Sequence, residues 1–127
     1  NMNVDWNRFR EVISAANKIV LTSHIRPDCD ALGSCLGMAG ILEALGKQVR
    51  IVCGQAVPEN LKFMDPDNRI LCIGQDIQAQ DFEDTDLHII LDTSAWIQLG
   101  PMADVIKNST YKKIIFDQSS WLTALAF

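Results

Sequence analysis

One short stretch carries the residue types that do chemistry. Ser23-His24-Ile25-Arg26-Pro27-Asp28-Cys29-Asp30 sets an imidazole and two carboxylates at spacing His-x3-Asp-x-Asp, on a turn between an apolar strand pattern and a helix pattern. Imidazole and carboxylate without thiolate suit Mn²⁺ or Mg²⁺ better than Fe or Zn. Two later strand patterns also end in a carboxylate, at Leu91-Asp92 and Phe116-Asp117. In open parallel sheets, ligands bind beyond the carboxyl ends of the strands. His24, Asp28, Asp30, Asp92 and Asp117 are therefore expected on one edge, as metal ligands. Taken singly, Asp30 reads as a helix cap, Asp28 as a charge near the helix dipole and His24 as a strand-end residue. Together they favour metal.

Four carboxylates and a histidine are enough to begin a two-metal site, in which a pair of ions activates water and steadies both oxygens of an in-line displacement at phosphorus. Asp92, at a rigid central strand end, is the natural bridge, and Asp92 and Asp30 are the candidate catalytic residues. Arg26 and Ser94 are candidate phosphate contacts; a solvated arginine and a turn-capping serine are their plain alternatives. Pro27 fixes its own φ and keeps Arg26 out of the helical region. Gly33 and Gly37 suggest a helix lying close to the sheet or a ligand. His88, inside a strand pattern, reads as a packed or edge histidine rather than a ligand. Cys29 is a poor nucleophile between two carboxylates, which disfavour its thiolate.

The elements that must position these residues alternate. A helix capped by Asp5 presents Trp6, Phe9, Ile13 and Ala16 on one face. Lys18 to Ser23 is a continuous apolar run, as for a strand covered on both faces. A helix from Ala31 to Leu45, capped by Asp30, stops at Gly46. Strands follow at Gln48 to Cys53, Ile70 to Ile73, Leu87 to Asp92 and Lys112 to Asp117. Short helices fall at Pro58 to Met64 and Pro101 to Lys107. The alternation predicts an α/β fold: a mostly parallel, doubly wound sheet with helices on both faces.

The 127 residues suit one domain with a sizeable core. A net charge of −5 opposes a long nucleic-acid groove, which needs a surplus of Lys and Arg, and so opposes long duplex DNA as a partner. Small anionic substrates remain compatible, because bound cations invert the local field. The four cysteines form no Cys-x2-Cys pair and read as reduced thiols of a cytoplasmic protein. No signal peptide and no membrane-spanning run is visible.

Ser23 to Ser34 (Ser-His-Ile-Arg-Pro-Asp-Cys-Asp-Ala-Leu-Gly-Ser) resembles the first motif of the DHH phosphoesterase family, closest to its oligoribonuclease (nano-RNase) and 3′-phosphoadenosine-5′-phosphate phosphatase branch. Leu91-Asp92-Thr93-Ser94 resembles the second motif, and Val57 to Leu61 a segment common between them. The resemblance implies a phosphohydrolase with two Mn²⁺ ions held by His24, Asp28, Asp30 and Asp92, Asp92 bridging. It implies short RNA or small nucleotide substrates.

The sequence departs from the family at three points. Asp117 is followed by Gln118-Ser119 rather than a histidine pair. Either the pair is replaced, or residues of an active-site loop are missing from the sequence there. Position 29, usually glycine, is Cys29. The later fourth motif and the C-terminal substrate-binding domain are absent, so residues 1–127 look like a metal-binding domain of a longer protein, with little turnover expected of it alone. A degenerate, non-catalytic metal or nucleotide binder is the alternative. Oligomeric state is not legible.

Overall fold

The computed structural model describes residues 6–91 and 96–116. Five strands, β1 (Lys18–Thr22), β2 (Gln48–Cys53), β3 (Ile70–Cys72), β4 (Leu87–Leu91) and β5 (Lys112–Phe116), form one sheet of order β3-β2-β1-β4-β5. Every pairing is parallel. The helices are α1 (Trp6–Ala15), α2 (Cys29–Ala44) and α3 (Met102–Asn108), with 3₁₀ turns at Glu59–Met64, Ala79–Phe82 and Trp96–Leu99. This is the expected α/β architecture.

Continuous apolar runs become central strands because both faces are covered. All five residues of β4 are buried, as are the last four of β1. Leu21, Ile51, Ile89 and Leu91 pack on one face against α1 and α2, through Ile13, Leu32, Cys35 and Leu42. Val20, Val52 and Ile90 pack on the other against Phe82, Leu99, Met102 and Ile106. The chain moves outward from β1 through β2 to β3, then returns to place β4 on the opposite side of β1. That reversal between β1 and β4 is the topological switch point, beyond whose carboxyl ends open parallel sheets bind their ligands. The opposite end is pinned by Asp86, whose carboxylate accepts the backbone N–H groups of Asn17 (2.8 Å) and Lys18 (2.9 Å). These two donors hold the Asp86 carboxyl below its usual range.

Two expectations need correction. α2 begins at Cys29 and its N-cap is Asp28, not Asp30: Asp28 is extended (φ −93°, ψ −178°) and accepts the Ala31 N–H at 2.8 Å. Asp30 stands within the first turn, where its charge still meets the helix dipole favourably. Gly33 and Gly37 do not mark a close approach of α2 to the rest of the protein, since a methyl at Gly33 would sit 3.8 Å from Met64 and one at Gly37 would meet nothing within 4 Å. Gly46, at φ 85°, ends α2 as expected. Asp5 lies outside the described residues.

Candidate functional site

The loop from Ser23 to Asp28 leaves the carboxyl end of β1 at the switch point. Arg26 takes φ 54°, a left-handed conformation that few non-glycine residues adopt, so the turn before Pro27 is held open by its surroundings. Three contacts hold it. The Ile25 N–H donates to the Gln98 carbonyl (2.6 Å), the Arg26 N–H to Gln55 Oε1 (2.9 Å), and the Ile25 side chain packs against Gly54 and Gly100. The loop is thereby tied to the end of β2 and to the turn at Trp96–Leu99.

Gly54 is required by this packing. A Cβ there would overlap the Leu99 carbonyl oxygen and lie 3.0 Å from Pro101 Cδ and 3.2 Å from Ile25 Cγ2. Gly54→Ala is expected to lower stability by about 1–3 kcal/mol, the usual range for overpacking. Urea unfolding measures it, and an unchanged midpoint would show that the contact yields.

His24 is half-buried, and its Nδ1 lies 2.8 Å from the Ile25 carbonyl. A carbonyl only accepts, so Nδ1 carries the proton and the lone pair of the neutral ring sits on Nε2. A metal-ligating histidine is commonly oriented this way, by a backbone carbonyl on its other nitrogen. Asp28 uses Oδ1 for the helix cap, while Asp28, Cys29, Asp30 and Arg26 are exposed around it. Asp92, Ser94 and Asp117 lie outside the described residues.

Among the described residues, no three His, Cys, Asp or Glu side chains gather closely enough to hold a metal ion. His24, Asp28 and Asp30 thus share one loop without closing a cage among the described residues, and one oxygen of Asp28 is taken by the Ala31 N–H. The donor chemistry still fits a hard divalent ion. Ser23, just before His24, carries a buried hydroxyl with no hydrogen-bond partner among the described residues. Thiolate ligation is disfavoured nearby, since burial pushes the Cys53 thiol up to about 11 against the opposing effect of the Ser23 N–H.

Sequence reasoning missed a buried polar chain behind this loop. His88 is fully buried, with Nε2 2.6 Å from Thr22 Oγ1 and Nδ1 3.0 Å from the Tyr111 hydroxyl. Thr22 gives its one proton to the Val52 carbonyl (2.8 Å), so His88 Nε2 must be the donor and Nδ1 accepts from Tyr111. The chain Tyr111–His88–Thr22–Val52 crosses the sheet from beside β5 to β2. No spacing rule reveals it, because Thr22 and His88 meet only through the β1–β4 pairing.

A cavity of about 210 Å³ beside β3, lined by Val57, Lys62, Asp65 and Asp76 among others, is a weaker candidate. Its carboxylates are already engaged, Asp65 with the Arg69 and Ile70 N–H groups and Asp76 with that of Cys72.

No family model matches the chain. Among solved structures, the fold is similar to the crystal structure of an exopolyphosphatase-related protein from Bacteroides fragilis, with a TM-score of 0.79 and 32% sequence identity. The similarity covers 87% of this chain and 33% of that one, so the chain spans about a third of that protein's length.

Proposed function

We propose that this chain is the metal-holding part of a phosphoesterase of DHH type. The observation that carries the reading is the His24-x3-Asp28-x-Asp30 loop at the β1/β4 switch point, in a fold 32% identical in sequence to an exopolyphosphatase-related protein. His24, Asp28, Asp30 and Asp92 would hold the ions, with Asp117 beside them, and Mn²⁺ is the preferred metal, with Mg²⁺ a substitute. Such ions, when bound, supply Lewis acidity toward phosphoryl oxygens and lower the pKa of water.

The chain's own residues do the rest. His24 is fixed by its Nδ1–H bond so that Nε2 is the ligating atom. The Arg26 backbone is locked, leaving its guanidinium to reach a phosphate by paired hydrogen bonds. The α2 N-terminus adds partial positive charge at the same edge. The negative overall charge fits small substrates: short oligoribonucleotides, nucleoside 3′,5′-bisphosphates or, following the neighbour's description, inorganic polyphosphate. Ser94 is the further candidate phosphate contact.

A second reading, a non-catalytic metal or nucleotide binder, is favoured by one feature: Gln118-Ser119 where the family has a histidine pair. The full-length protein, assayed for phosphate release from these three substrate classes, separates the two. Turnover with Mn²⁺ that is abolished by EDTA supports the enzyme. Mn²⁺ binding without turnover on any of them supports the binder.

A further inference from the structure

Ser23 and Thr22 are neighbours with opposite fates. Thr22 is fully buried and its hydroxyl has two partners. Ser23 is 2% exposed, and its hydroxyl has none among the described residues. A buried hydroxyl left unpaired destabilises the fold, whereas alanine would fill the same place without that cost. An orphan of this kind, at the edge where a ligand is expected, points to a group that binds there.

Strand alternation says where that partner approaches. Thr22 shares its side of the sheet with Val20, Val52 and Ile90, away from α2. The same alternation carried one residue past β1 puts Ser23 on the other side, that of Leu21, Cys53 and Leu91, over which α2 lies. The N-terminus of α2 holds Asp28 and Asp30, and the next residue of the chain after Ser23 is His24. A carboxylate on a metal ion presents one oxygen to the ion and keeps the other for a hydrogen bond.

We propose that Ser23 is a positioning residue: its hydroxyl is the donor to a carboxylate that ligates the divalent ion at the end of β1, a bond made when the ion binds. The inference rests on the metal reading above. It also means that the site is assembled at the expense of the metal-free fold.

The test follows metal affinity and metal-free stability together. Wild type, Ser23→Ala and Ser23→Thr are melted in EDTA and then titrated with Mn²⁺, with binding read from the shift in Tm. Ser23→Ala should melt at or above wild type in EDTA yet bind Mn²⁺ about 10–100-fold more weakly, the usual effect of removing a group that supports a metal ligand. Ser23→Thr, which keeps the hydroxyl, should hold most of the affinity. Unchanged Mn²⁺ affinity in Ser23→Ala overturns the inference while leaving the metal reading intact. No Mn²⁺ response in the wild type removes both.

Discussion

Asp92→Asn is expected to lower Mn²⁺-dependent phosphate release by about 10²–10³-fold, the scale on which loss of one charge-stabilising group is felt in a catalytic site. Asp92 follows Leu91 at the end of β4, and β4 is the strand beside β1 at the switch point. In the proposed metal reading, the carboxylate at that position is the bridge between the ions. The amide removes the negative charge with almost no change in volume, so the loss is expected in turnover and Mn²⁺ affinity, not in folding. Asp67→Asn, at an exposed position before β3, is the control and should leave turnover unchanged. The measurement is initial rate against Mn²⁺ concentration for both variants. Equal rates for Asp92→Asn and wild type would remove Asp92 from the site and with it the two-metal reading.

The second large effect is acid sensitivity from His88. Burial, helped by the Lys113 charge, pushes this imidazole from its ordinary 6.5 down to about 3. It stays neutral in the fold but takes a proton in the unfolded chain as soon as pH drops below 6.5. The unfolded state then binds more protons, so stability is complete above about 6.5 and is lost as pH falls toward 3, at about 1.4 kcal/mol per pH unit. From pH 7 to pH 5 the loss should be about 2 kcal/mol. Asp84 and Asp86, whose carboxyls are held low by Lys18 and its backbone N–H, contribute only at more acid pH.

Urea unfolding across that interval measures the His88 effect. His88→Leu should be less stable at neutral pH, having broken the Tyr111–His88–Thr22 chain, yet lose much less on acidification. If the wild type itself were flat from pH 7 to pH 5, the buried neutral histidine would be wrong.

The strands were legible in the sequence because central parallel strands are buried on both faces and cannot hide their apolar runs. β2 falls on Gln48 to Cys53 as read, and β1, β3, β4 and β5 each begin at the expected residue. The α2 start was misplaced because Asp28 and Asp30 are equally good caps by type, and only the extended backbone of Asp28 decides between them. Gly33 and Gly37 drew attention by their spacing, while the glycine that closes the site loop, Gly54, sits unmarked after β2. The 3₁₀ turn at Trp96–Leu99, which anchors Ile25, is only four residues long, too short for a hydrophobic period to announce it. The ligand set was read from residue type and strand ends. The orphaned Ser23 hydroxyl could not be, since its isolation depends on what surrounds it in three dimensions.

The sheet order also has a consequence during protein synthesis. β1 finds β2 soon after it is made, at Lys18 with Gln48, but its other neighbour arrives only with Leu87 to Leu91. At about 5–20 residues per second, on the order of a second or more passes between emergence of Cys72 and of Leu91. Through that interval Ile19, Val20 and Leu21 line an open strand edge, which is the kind of surface that pairs with other chains. The nascent chain is thus most exposed to misassociation on the ribosome at the very seam where the candidate site will form.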